Sequence, residues 1–99
     1  MKKVEYPIRL TEEDRVRVLF LKDRGKIKHF VIQYYALING RWRTIMRIDT
    51  CHEFPHKHTY HLKTKEYKVN LSGNFNIVFT ESNNFIKRNF YKIKENFLR

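Results

Sequence analysis

Asn39-Gly40 constrains the fold of this chain more than any other pair of residues. It separates two runs that alternate apolar and polar side chains, Ile27 to Ile38 and Arg41 to Thr50. Asn-Gly in that setting is the strongest short signal for a two-residue hairpin, because both positions accept the positive φ that a tight reversal needs. The two runs are therefore expected to lie antiparallel. Upstream, Arg15 to Lys22 opens on the strict alternation Arg-Val-Arg-Val and reads as a strand. It joins the next strand through the turn Asp23-Arg24-Gly25-Lys26. Downstream, His56 to Leu62 and Glu66 to Leu71 read as short strands separated by the polar turn Lys63-Thr64-Lys65, with Tyr67 and Val69 sharing an apolar face.

The ends of the chain read differently. Met1 to Asp14 is a polar lead-in, expected to be extended or irregular, with Pro7 as punctuation and an acidic, cap-like Thr11-Glu12-Glu13-Asp14. Ser72-Gly73-Asn74 breaks the chain, and Phe75 to Phe79 is expected to be a connecting strand or an irregular crossing. From about Ser82 to Leu98 the spacing of Ile86, Phe90, Ile93 and Phe97 predicts a helix, capped by Ser82 or Asn83, whose apolar stripe is core. Lys87, Arg88, Lys92, Lys94 and Arg99 fall off that stripe. The expected fold is α+β: an antiparallel β-meander of four or five strands, over about residues 15–71, with a C-terminal helix, about 82–98, packed on one face. All of it belongs to one domain, 1–99.

The stretch Arg47 to His61 concentrates titratable chemistry. Four of the five histidines and the only cysteine fall within it. On a period of two, Arg43, Ile45, Arg47 and Asp49 are expected on one face of their strand, with Trp42, Thr44, Met46, Ile48 and Thr50 on the other, as core. The turn is expected at Cys51-His52-Glu53-Phe54-Pro55, because Pro55 cannot donate to a ladder. Beyond it His56 and His58 share a face with Tyr60 and Leu62. If the two strands pair, Arg47 and Asp49 meet His56 and His58 across the ladder.

Three readings of that cluster compete. In the first a histidine moves a proton, Arg47 stabilises a developing oxyanion or a phosphate, and Asp49 orients an imidazole. In the second His52, His56, His58 and Asp49 hold a divalent metal such as zinc. In the third the histidines are ordinary surface residues of a polar sheet face.

The pattern R-x-D-T-x-H-x-x-P-H-x-H, from Arg47 to His58, resembles a signature of small prokaryotic proteins similar to the TumE-type toxins of toxin-antitoxin modules. The resemblance covers the middle third of the chain and implies a toxin-like or RNA-directed role. Ile48 stands where that signature carries an aromatic residue.

Bulk properties bound the rest. With 41% apolar and 15% aromatic residues the chain is a folded protein. One cysteine allows no internal disulfide, no apolar run follows Met1-Lys2-Lys3, and nothing reaches the length of a membrane span, so the expected location is cytoplasmic. Lys and Arg number 21 against 10 Asp and Glu, a formal charge of +11 that calls for a polyanionic partner. RNA is favoured; an acidic partner such as an antitoxin satisfies the same field, and a heat-adapted or merely solubilising surface is the bland account. An exposed sheet edge also allows a homodimer. No phosphate-binding Gly-rich loop, zinc-ribbon cysteine pattern or internal repeat is present.

The expected function is thus a basic RNA-directed protein, a toxin-like ribonuclease needing no cofactor, with Arg47, Asp49, His56 and His58 as the catalytic set. Arg41, Trp42, Arg43 and Lys57 are the expected nucleic-acid contacts. The alternatives are a non-catalytic nucleic-acid or protein binding module and a His-rich metal-binding protein.

Overall fold

A computed structural model describes residues 1–50, 54–62 and 66–99. Its elements run β1 (Lys2–Thr11), β2 (Asp14–Asp23), β3 (Lys26–Ile38), β4 (Arg41–Asp49), β5 (His56–Thr59), β6 (Tyr67–Asn70) and α1 (Phe75–Leu98). The strands form one antiparallel sheet in chain order, with α1 packed against it, so the fold is the α+β meander expected. It has six strands, against the four or five read from the sequence. Both predicted tight turns carry positive φ: 50° and 80° at Arg24 and Gly25, 51° and 80° at Asn39 and Gly40.

The additional strand is β1. Val4, Tyr6, Ile8 and Leu10 are half-buried against the core while Lys3, Glu5, Pro7 and Arg9 are exposed, which is the alternation of an edge strand. Pro7 is compatible with that place because an edge strand pairs on one side only. At the other edge, Tyr67 and Val69 share a face as expected, but Tyr67 is 64% exposed.

The helix starts at Phe75, a turn and a half to two turns before the expected start. Its cap is Asn74, whose side chain accepts from the Asn76 backbone N–H at 2.8 Å, rather than Ser82 or Asn83. Asn76 then ties the helix to the β2–β3 turn, accepting from Ile27 N–H (2.9 Å) and donating to the Gly25 carbonyl (3.2 Å). Phe75 to Phe79, read as a connecting strand or crossing, therefore forms the opening of the helix. Its rings join the core: Phe79 meets Phe20 and Phe30 edge-on at 5.3 and 5.6 Å, and Phe75 meets Phe30 at 6.2 Å. Val16, Val18, Phe30, Ile32, Tyr34, Ala36 and Ile45 are fully buried beneath α1 and its flanks.

One irregularity decides which side chains face which way. Tyr34 pairs with Met46 but Tyr35 pairs with Thr44, so Ile45 is an extra residue in β4. Ile45 and Met46 are consecutive and both buried in the hydrophobic core. The bulge reverses the expected faces of the N-terminal half of β4. Trp42 and Thr44 lie on the side of Arg47 and Asp49, opposite Leu37 and Tyr35. Arg43 lies on the helix side, its guanidinium 5.8 Å from the centre of the Phe97 ring. Trp42, expected in the core, is 47% exposed.

A buried polar network locks the helix over the sheet. Tyr34 donates its hydroxyl to Asp14 Oδ1 at 2.6 Å, Thr11 donates to the other carboxylate oxygen, and Lys94 Nζ from α1 lies 3.4 Å away. Burial pushes the Asp14 pKa up, but the two hydroxyls and the Lys94 charge outweigh it and hold it below its ordinary 3.8. Burial first, then the hydrogen bond to Asp14 and its charge, push the Tyr34 hydroxyl well above its ordinary 10.0. No helix among the described residues is long and apolar enough to cross a membrane.

The network predicts an acid limit. With its folded pKa below the unfolded value, Asp14 contributes stability that is present above about pH 4 and lost as pH falls through the folded pKa. Tyr34, raised, contributes below its ordinary 10.0, and that contribution is lost at higher pH. Asp14→Ala strands a buried hydroxyl and a partly buried ammonium, and is expected to cost about 1–3 kcal/mol at neutral pH. That is a fall of roughly 4–8 °C in Tm per kcal/mol. Thermal melts at pH 7 and pH 3 check it: the variant's deficit at pH 7 should shrink at pH 3, and an unchanged Tm at pH 7 contradicts the network's role.

Candidate functional site

Among the described residues no helix or strand covers the face of the sheet opposite α1, and the register writes two rows across it. One row runs Arg17, Gln33, Arg47, His58, Lys68 from β2 to β6. The adjacent row runs Glu5, Leu19, Val31, Asp49, His56, Asn70 from β1 to β6. The expected pairing is therefore present: Arg47 opposes His58 and Asp49 opposes His56.

Arg47 and His58 converge on the Asp49 carboxylate. Arg47 Nε lies 2.8 Å from Asp49 Oδ2, and His58 Nε2 lies 3.5 Å from the same oxygen. The other His58 nitrogen, Nδ1, meets Glu66 Oε1. A neutral imidazole donates to one of these two carboxylates; the imidazolium donates to both. His56 Nδ1 is 2.9 Å from Asn70 Oδ1, and the two imidazole centres are 6.2 Å apart. Tyr60 completes the group, its ring within 14° of parallel to His58 at 6.5 Å. Burial raises the Tyr60 pKa; Arg47 opposes the shift while Glu66 and Asp49 add to it, so the hydroxyl remains a donor at neutral pH.

Exposure divides this cluster into a floor and a rim. Asp49, His56 and His58 are 3%, 3% and 8% exposed, whereas the Arg47 and Glu66 side chains are 40% and 41% exposed. An approaching anion meets Arg47, Lys68, Tyr60 and Glu66 first. The imidazoles stand behind them.

The second predicted set is dispersed. Trp42 stands on the open face, edge-on to Tyr35 at 5.6 Å and with the Arg15 guanidinium 5.2 Å over its ring. Arg41 and Arg43 pair with Ile38 and Ala36, on the helix side. Lys57 is also on that side, paired with Ile48, its Nζ 5.7 Å from the Phe85 ring centre. There it borders a cleft of about 550 Å³ with Ile48, Val78 and Phe85 in its walls, which lies across the sheet from Arg47 and His58. Of the proposed metal ligands, His52 lies outside the described residues, as do Cys51 and Glu53 of the expected turn and the turn Lys63-Thr64-Lys65. Among the described residues no group of three or more His, Cys, Asp or Glu is arranged to hold a metal ion.

Sequence reasoning missed Glu66 and Asn70. Asn70 ends β6 and Glu66 immediately precedes it, and their spacing from the histidines shows no motif. Thr50, expected as core, is buried, but by polar bonds: its hydroxyl accepts from Phe30 N–H at 2.9 Å and lies 2.7 Å from His29 Nδ1.

Asp49 is the centre of this geometry, and its removal separates it from the rim. Breaking a buried ion pair costs about 3–5 kcal/mol, and the solvent contact of Arg47 lowers the expectation for Asp49→Ala to about 2 kcal/mol. Glu66→Gln, at an exposed position, is expected to cost under about 1 kcal/mol. Urea unfolding of both variants checks the order; equal midpoints contradict it.

No curated protein and no solved structure shows significant similarity to the chain. A family model does match, over residues 1–99, and the protein therefore belongs to the family described as a domain of unknown function, DUF7718.

Proposed function

We propose that this protein binds RNA across the open face of its sheet. The observation that carries the reading is the row Arg17, Gln33, Arg47, His58, Lys68, which sets three permanent cations and a histidine on one surface. Strands lie about 4.8 Å apart, so the row extends about 19 Å. Trp42 and Tyr35 stand on the same face, beside the Arg15 guanidinium. Cations that follow a backbone, with aromatic rings beside them, are the chemistry of single-strand binding. The overall +11 charge supplies the long-range attraction.

A second reading, metal-independent cleavage, is favoured by one observation: Arg47, Asp49, His58 and Glu66 form a continuous chain of polar contacts at the centre of that row. Transesterification needs a base for the 2′-hydroxyl proton, an acid for the leaving oxygen and a fixed cation at the developing charge. Arg47 supplies the cation. Glu66 and Tyr60 are the accessible proton-transfer groups, and His58 connects Glu66 to Asp49. His56, on Asn70, flanks the pair.

Each phosphate neutralised on a single strand contributes about 0.7 to the slope of log affinity against log salt, so three cations predict a slope near −2. Raising salt from 50 to 200 mM then weakens binding roughly 20-fold. Arg47→Ala and Lys68→Ala are each expected to flatten the slope by about 0.7. Fluorescence anisotropy with labelled RNA measures this, and no affinity at low salt contradicts RNA binding. Cleavage is read in chelator as 2′,3′-cyclic phosphate ends, with Arg47→Ala or His58→Ala expected to slow it about 10²-fold or more. Intact RNA beside bound protein leaves the binding reading alone.

A further inference from the structure

β5 pairs with β4 only from Met46 to Asp49, and Tyr60 N–H adds one bond to the Ile45 carbonyl at 3.2 Å, so among the described residues Arg41 to Thr44 have a strand, β3, on one side only. The chain leaving β5 turns there toward the helix end, where Leu62 N–H donates to the Phe97 carbonyl at 2.9 Å. Between them lies a cavity of about 410 Å³ lined by Arg41, Trp42, Arg43, Thr44, Tyr60 and His61, closed at the back by Phe97. A cavity of that size is within the usual range for small ligands, about 300–1,000 Å³. Its lining residues carry two guanidinium groups, four aromatic or imidazole rings and two hydroxyls. Strand alternation produces this mixture along one edge, and the bulge at Ile45 sets its sense, with Trp42 and Thr44 toward the open face and Arg41 and Arg43 toward the helix side.

Tyr60 belongs both to this cavity and to the Arg47 cluster, since its ring also runs parallel to His58. Tyr60, which also feels the Arg47 charge, therefore links the cavity to that cluster. Resting on the RNA-binding reading above, we propose that the cavity receives one unpaired nucleobase of a single-stranded RNA, between Trp42 and Tyr60, while the adjoining phosphate is held by Arg47. Rings offer stacking that any base accepts, and guanidinium and hydroxyl groups reach its polar edge. A base inside a duplex is stacked on its neighbours and cannot enter, so the site discriminates unpaired from paired RNA.

Trp42 is the only tryptophan in the chain, so its fluorescence reports the cavity directly. The experiment titrates the full chain with an unstructured RNA, a hairpin of equal length and polyglutamate, following Trp42 emission and, separately, anisotropy of labelled RNA. The unstructured RNA is expected to quench Trp42 and to bind about 10-fold more tightly than the hairpin. Trp42→Ala should remove that preference, weakening the single strand about 10-fold and leaving the hairpin unchanged, because an aromatic stack is commonly worth that much. Trp42→Phe, which keeps a ring, should retain most of it, and Trp42 is exposed enough for both variants to fold. Lys68→Ala should weaken both RNAs alike. Equal binding of single strand and hairpin, unaffected by Trp42→Ala, overturns the cavity and leaves RNA binding in place. Quenching by polyglutamate as strong as by RNA overturns the nucleobase assignment in favour of an acidic protein segment. Failure of either RNA to bind overturns the proposed function and this site with it.

Discussion

A single helix about 10 Å across lies on a sheet of six strands that spans about 24 Å, and most of the architecture answers that mismatch. The residues without solvent contact come from the middle of the sheet and the helix above it: Val16 and Val18 on β2, Phe30, Ile32 and Tyr34 on β3, Ile45 on β4, Ile86 on α1. The flanks are handled differently on each side. On β1 the apolar residues are only half-buried and the edge is charged; beyond β4 the strands shorten to four residues each and their side chains become polar. A polar cluster can sit on β5 because the hydrophobic core ends before reaching it.

Charge inside this fold is always shared. Asp14 serves two hydroxyls and Lys94, and Asp49 serves Arg47 and His58. Desolvating a carboxylate is costly unless cations and donors surround it, and each of these is surrounded by groups from different elements. Asp14 joins the β1–β2 turn to β3 and α1; Asp49 joins β4 to β5. The first fixes the helix, the second fixes the orientation of Arg47.

The hairpins were legible because their signals are local: Asn39-Gly40 and Arg24-Gly25 carry the conformation in two residues. The pairing of Arg47 and Asp49 with His58 and His56 was legible too, since the members of each pair stand two residues apart on either side of one turn. Three features were not. β1 alternates as well as any strand, but Pro7 reads as a terminator unless the strand is known to be an edge. The helical stripe runs unbroken through Phe75, Val78, Ser82, Ile86, Phe90, Ile93 and Phe97, and the serine in its middle conceals the first part. The bulge at Ile45 leaves no trace, because Arg41 to Asp49 alternates plausibly in either phase; what selects the phase is the tertiary fit of Ile45 and Met46 together beneath the helix. Trp42 and Arg43 exchanged faces for that reason, and Glu66 entered the site from the position just before β6, whose distance along the chain encodes nothing about its contacts.

Strand order equal to chain order also has a kinetic meaning. Every pairing in the sheet joins segments adjacent in sequence, so loop-closure entropy is small at each step and the topology belongs to the low contact-order class of β-containing proteins. The last of the seven elements behaves otherwise. Phe75, Phe79 and Phe90 must return across the chain to reach Phe30, Phe20 and Tyr34, which are made some 45 to 60 residues earlier. During synthesis the meander can zip up strand by strand while its apolar face stays open, and that face waits for the helix. The interval between the two events is when this protein is most exposed to aggregation, and its strong positive charge keeps copies apart during it.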